Sequence, residues 1–269
     1  MSEADRVFAG SIPGLYDRYL APLLFAGYAE DLARRTAALS PAHVLEIAAG
    51  TGVVMRALAR ALPRKVEITA TDLNQAMVDF AAAQPGAERV TWRQADAQAL
   101  PFADGSFDVV LCQFGVMFFP DRATAYREVK RVLKPGGRYL YSVCDRIEEN
   151  EFGQIVTDAV AALFPDNPPR FLARTPHGYH DIAVIKNELR AAGFSHITIE
   201  TIARRSPAPS PQDAALGLCQ GTPLRSEIEA RAAERLEAAT DAAAAALAAR
   251  FGTRAIDGKL QAHIVTAAA

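Results

Sequence analysis

The chain has 269 residues, enough for one large α/β domain with insertions or two small ones, and half of them are hydrophobic. A formal net charge of −2 gives no reason to expect nucleic acid or an anionic membrane surface as partner. Three scattered cysteines, Cys112, Cys144 and Cys219, form no CxxC pair, so neither a disulfide framework nor a structural zinc site is indicated. A reducing, cytoplasmic setting fits that usage. The start, MSEADRVFAGSIPG, is acidic and lacks the apolar stretch of a signal peptide. The alanine-rich stretch 242–250 is too short to span a bilayer.

In chain order, residues 15–39 read as helix, interrupted at Pro22 and Gly27. A buried strand is expected at 44–47, then a helix over 52–62 stopped by Pro63. A second strand follows at 66–70, and Asn74 is placed to cap a helix over 75–84. Residues 91–93 make a brief third strand. A turn at 104–106 leads into the apolar fourth strand, 107–112. Asp121 can cap a helix reaching Leu133, Lys134-Pro135-Gly136-Gly137 stops it, and 138–144 is a fifth strand. Strands alternating with helices imply a doubly wound, mostly parallel sheet. Past Cys144 the rhythm breaks. A helix at 152–164 and a loop at 165–181 precede a helix at 182–192 and a sixth strand at 194–202. A Pro/Ser-rich link at 206–211 comes next. Ser210-Pro211 with Asp213 starts one helix, and Ser226 with Glu229 could start or reinforce a longer one. The alternation at 259–267 reads as a last strand.

The stretch from Leu45 to Gly52, LEIAAGTG, joins the first strand to the first crossover helix. Small residues there let backbone approach a ligand, and the helix start directs free N–H groups at it. Asp72 follows the second strand, twenty residues past Gly52, where an acid can accept from both hydroxyls of a ribose. Either feature suits a dinucleotide as well as S-adenosylmethionine. Three details choose the latter. Met55 occupies the third small position of the dinucleotide turn. Glu46, inside the strand end, would repel a pyrophosphate but not an ammonium. Asp96, after the third strand, suits an exocyclic adenine amine.

The segments 44–52 (VLEIAAGTG), 70–81 (ATDLNQAMVDFA), 94–119 and 126–143 together resemble the class I, seven-strand S-adenosylmethionine-dependent methyltransferases, in the small-molecule group that includes quinone-biosynthesis enzymes. The family usually has Asp at the position of Glu46 and Gly at that of Ala48. The resemblance implies a seven-stranded Rossmann-like sheet and methyl transfer to a small-molecule acceptor, leaving S-adenosylhomocysteine and using no metal. It places the ribose on Asp72, the adenine on Leu73, Asp96 and the Ala97 N–H, and the methionine portion along Glu46, Ala48 and Gly50 in the turn with Thr51 and Gly52. Gln113 falls near the amino-acid tail or the methyl. Tyr16 and Tyr19, in N-terminal helices over 1–40, are expected to close over the cofactor.

Taken singly, Asp72 and Asp96 also fit ordinary turn residues, and the Phe114–Phe119 cluster fits core. His177 and His180, with Tyr16, are the candidates for a general base, and a structural role suits either histidine equally. Segments 147–181 and 204–256 are expected to form a lid over the acceptor within one domain spanning 41–269, with Gly178, Gly217 and Gly221 as flexible links. An NAD(P)-linked reductase and a non-catalytic S-adenosylmethionine-binding protein are the rival readings.

Overall fold

A computed structural model describes residues 12–269; the acidic start expected over 1–14 therefore lies mostly outside the described residues. Seven strands form one sheet in the order β3-β2-β1-β4-β5-β7-β6. They are β1 (His43–Glu46), β2 (Glu67–Asp72), β3 (Val90–Gln94), β4 (Phe107–Gln113), β5 (Leu133–Cys144), β6 (Ser195–Ala208) and β7 (Ile256–Ala268). β1 through β5 pair in parallel, whereas β7 inserts antiparallel between β5 and β6. This is the expected mostly parallel, seven-stranded α/β architecture. Neighbouring residues Val44 and Leu45 of β1, and Val109 to Cys112 of β4, are all buried. Both faces of the sheet are thus covered, as apolar parallel strands require.

The helical layers start with α1 (Ile12–Leu15), which runs into π-helical turns at Tyr16–Phe25 and then α2 (Ala26–Ala38). Pro22 sits inside the π-helical stretch, where it lacks an N–H to donate. α3 (Val53–Ala61) packs on α2, α4 (Gln75–Ala82) against β2 and β3, and α5 (Arg122–Val132) against α8 (Ile182–Ala191). α6 (Glu151–Ala162) and α7 (Phe171–Arg174) follow β5. α9 (Pro211–Gln220), α10 (Leu224–Ala232) and α11 (Leu236–Phe251) lie between β6 and β7, and α11 packs on both α9 and α6. No described helix is long and apolar enough to cross a membrane.

Several local expectations change. Asn74 makes no side-chain cap; its own N–H donates to Asp72 Oδ1 instead. Ser226 and Glu229 fall inside α10 without capping it, and Glu229 pairs with Arg225. The Lys134–Gly137 stop becomes a bulge at the head of β5, where the register jumps from Phe107↔Leu133 to Val109↔Arg138. Residues 206–208 are strand, not link: Ser206, Pro207 and Ala208 pair with Gly258, Asp257 and Ile256. Proline is tolerated there because β6 is an edge strand. By contrast Asp121, Asp181 and Ser210 do cap α5, α8 and α9 through their side chains.

Candidate functional site

The turn after β1 is fixed by backbone geometry. Gly50 and Gly52 hold φ of 55° and 80°, and Ala48 holds 53° without being glycine. At Gly52 a Cβ would also stand 2.8 Å from the Trp92 ring, so this position admits only glycine comfortably. Asp72, at the end of β2, ties the turn to its neighbour: one oxygen accepts from Gly50 N at 2.9 Å, the other from Asn74 N at 2.8 Å. Burial raises its pKa, and those backbone N–H groups oppose the rise. Phe114, after β4, repeats the left-handed conformation with φ of 52°, and Gly115 beside it leaves no room for a Cβ between Ala48 and Cys112.

These strand ends surround a cleft of about 720 Å³. Tyr16, Ala48, Gly50, Asp72, Leu73, Asp96, Ala97 and Gln113 all line it. Leu73 stays 40% exposed there and offers an apolar surface to the cleft. Asp96 is half-buried and accepts from Gln98 N at 2.8 Å. The sequence did not single out Asn74 or Pro120 as ligand-facing residues, though both line the cleft; Phe118 and Phe119, which look like a pocket wall in the sequence but in such a place are more often core, line it too.

Next to the cleft a smaller chamber is lined by Tyr16, Glu46, Gly50, Thr51 and Gln113 among others. Glu46 is 1% exposed, and its Oε2 has no hydrogen-bond partner. Thr51 Oγ1 and Gln113 Oε1 are likewise buried without partners. Burial first, then the neighbouring Asp72 charge, pushes the Glu46 carboxyl well above its usual range, with Arg56 opposing. Three buried, unsatisfied acceptors around one chamber call for a donor from outside the protein. An amino-acid ammonium, which only donates, fits those acceptors, and a pyrophosphate, which only accepts, does not. Met55, buried at 1%, fills the space that a dinucleotide turn keeps for a small residue.

A second pocket, comparable in size to the cleft, shares Tyr16, Phe114 and Phe118 with it. Leu20, Leu24, Phe25, Phe152, Phe171 and Leu218 make much of its apolar wall. His177 lines it, 8% exposed, with Nδ1 2.7 Å from the Asp145 carbonyl. Desolvation lowers the His177 pKa to about 4. His180 lies outside these linings and binds the His177 carbonyl at 2.9 Å. Tyr19 is outside them too; its Cβ packs where Gly217 of α9 leaves space. A Cβ on Gly217 or Gly221 would crowd Leu20 and neighbouring backbone, and one on Gly178 would meet the Arg174 carbonyl. Among the described residues no cluster of three or more His, Cys, Asp or Glu is placed to hold a metal ion.

Fold and site define an α/β protein with a cleft at the ends of its parallel strands and a chamber of buried, unpartnered polar atoms beside it. A family model described as a methyltransferase domain matches residues 45–141. A demethylmenaquinone methyltransferase of Deinococcus radiodurans is 38% identical over 140 residues, covering 51% of this chain and 58% of that one. A ubiquinone/menaquinone biosynthesis C-methyltransferase of Methylobacterium nodulans is 31% identical over 179 residues, covering 62% of this chain and 71% of that one. Other curated relatives are matched over as little as 39% of their length. Among solved structures, the YcgJ protein of Bacillus subtilis superposes with a TM-score of 0.56 at 23% identity, over 90% of this chain and 98% of that one. Haemonchus contortus phosphoethanolamine N-methyltransferase 2, bound to S-adenosyl-L-methionine, gives 0.57 at 17%, over 95% and 56%. The chain belongs to the class I S-adenosylmethionine-dependent methyltransferases and is homologous to the quinone-biosynthesis members of that family.

Proposed function

We propose that the protein transfers the methyl group of S-adenosylmethionine to a small, mainly apolar acceptor held in the second cavity. The observation that carries this reading is the shared wall: Tyr16, Phe114 and Phe118 border both the cofactor cleft and the apolar cavity. Asp72 would hold the ribose hydroxyls, Leu73 the adenine face, and Asp96 with the Ala97 N–H the adenine edge. Glu46, Ala48, Gly50, Thr51, Gly52 and Gln113 would surround the methionine portion, with Tyr16, and Tyr19 behind it, closing from the N-terminal side. The cofactor supplies a methyl that is already electrophilic. The chain's own task is to align the acceptor and exclude water, and alignment alone can contribute roughly 7–11 kcal/mol.

The acceptor does not follow from the relatives' names. Those names speak of demethylmenaquinone and of ubiquinone and menaquinone synthesis. Yet the family match covers 45–141, whereas Tyr16, Leu20, Phe25, Phe152, Phe171, His177 and Leu218 of the cavity all lie outside it. Segments 147–181 and 204–256, the latter running from the end of β6 to the start of β7, are therefore read as the lid that sets acceptor choice. Free thiols at all three cysteines support a cytoplasmic setting, and a net charge of −2 gives no reason to expect a nucleic-acid partner.

Calorimetry with S-adenosylhomocysteine and with NADH, followed by transfer of a labelled methyl to a panel of apolar acceptors, tests the reading. Binding of the first and not the second is expected. NADH binding with no S-adenosylhomocysteine binding would sink it.

A further inference from the structure

His177 is a buried histidine whose tautomer can be read from its partner. A carbonyl only accepts, so the 2.7 Å contact with the Asp145 carbonyl places the proton on Nδ1. With the ring kept uncharged by burial, Nε2 is then a bare acceptor. That nitrogen is kept open on one side by the absence of a side chain. A Cβ built on Gly153 of α6 would stand 3.2 Å from Nε2, and both residues line the second cavity. Gly153 is not in a left-handed conformation, so the helix backbone does not itself require glycine there.

Four other polar side chains lining the cavity are already engaged within the protein. Asn150 donates to the Asp145 and Arg146 carbonyls and accepts from Gln261 N. Ser206 donates to the Leu23 carbonyl at 2.6 Å, Thr222 to that of Leu218 at 2.7 Å, and Lys259 is paired with Glu149. No carboxylate lines the cavity among the described residues, so a cationic acceptor would meet no counter-charge.

Building on the reading of this cavity as the acceptor site, we propose that His177 Nε2, reached through the gap at Gly153, accepts a hydrogen bond from a hydroxyl on a neutral, apolar acceptor and so sets its orientation and selection. His177 is then a recognition residue that stays uncharged, rather than a store for the proton.

2-Naphthol and naphthalene are suitable probes, because they share an apolar body and differ in one hydroxyl. Each is titrated by its own fluorescence into protein saturated with S-adenosylhomocysteine. The wild type should prefer 2-naphthol by roughly three- to tenfold, the worth of one neutral hydrogen bond. His177→Leu should bring the two affinities together, and His177→Gln, which can donate to the carbonyl and still accept, should restore part of the preference. Gly153→Ala should also remove the preference while leaving the melting temperature unchanged or raised, which separates access to Nε2 from stability. An undiminished preference in both His177→Leu and Gly153→Ala would overturn the proposal. Neither probe binding to wild type that does bind S-adenosylhomocysteine would overturn it together with the assignment of the cavity. Failure of S-adenosylhomocysteine itself to bind would instead strike at the proposed function.

Discussion

Asp72 spends its two oxygens on Gly50 N and Asn74 N, yet it lines the cofactor cleft. Oδ1 also accepts from Asn74 Nδ2 at 3.4 Å, so the oxygen bound by Gly50 N is the one with room for a further donor, which a ribose hydroxyl can supply. Asp72→Ala removes charge-assisted bonds worth about 1.5–3 kcal/mol each. S-Adenosylhomocysteine affinity, read by calorimetry, should fall more than about tenfold; an unchanged Kd would show that the ribose lies elsewhere. His177 makes a pH prediction. Its folded pKa of about 4 lies below the usual 6.5 because the ring is desolvated, with His180 adding to the depression and Asp145 and Glu148 opposing it. Between those values the unfolded chain binds the extra proton. The contribution is therefore complete above about pH 6.5 and is lost as pH falls toward 4, by up to roughly 3 kcal/mol. Chemical denaturation of wild type and His177→Gln across that range should show the wild-type curve falling more steeply on the acid side. Parallel curves would mean the ring is not buried uncharged.

α9 forms part of the cavity wall through Leu218, and Ser210 secures its first turn by accepting from Asp213 N at 3.1 Å. Pro211 at the first helical position adds a preset φ. Ser210→Ala should cost about 1 kcal/mol of stability, the ordinary worth of such a cap, because Asp213 N loses its partner. Thermal unfolding checks the cost, while S-adenosylhomocysteine affinity should stay within error, since α9 does not border the cofactor cleft. A loss of cofactor affinity comparable to that of Asp72→Ala would show that α9 reaches across both cavities. In the same element Gly217 and Gly221 let α9 lie directly on Leu20.

Across the whole molecule, β7 holds the late half in place, because among the described residues it is the sole strand paired with β6, and it also pairs with β5. Deleting residues 256–269 should abolish cooperative unfolding, read by circular dichroism and calorimetry; a sharp transition in the truncated chain would mean that β1 to β5 fold without it. The sequence showed the parallel half clearly. There, the Gly50/Gly52 turn, Asp72 and Asp96 sit at fixed distances along short crossovers, so local spacing carries the information. It showed less of the acceptor side. Phe118, Phe171 and Leu218 come from separated segments and look like core until the chain brings them to one cavity. The strand character of 206–208 was hidden too, since Pro207 reads as a breaker unless its partner, Asp257, is known.

Tyr16 borders the cofactor cleft, the chamber around Glu46 and the apolar cavity at once. One side chain cannot clear one doorway without disturbing the others. An acceptor lodged against it, and against Leu20 and Leu24 of the same π-helical stretch, would wedge the N-terminal cover shut over the nucleoside. Turnover should therefore keep a compulsory sequence, with S-adenosylmethionine entering first and S-adenosylhomocysteine departing last. S-Adenosylhomocysteine should compete with S-adenosylmethionine but not with acceptor, and excess acceptor should slow the enzyme by trapping the spent nucleoside. Steady-state inhibition patterns showing random entry would mean that the cover opens independently of what lies beneath it.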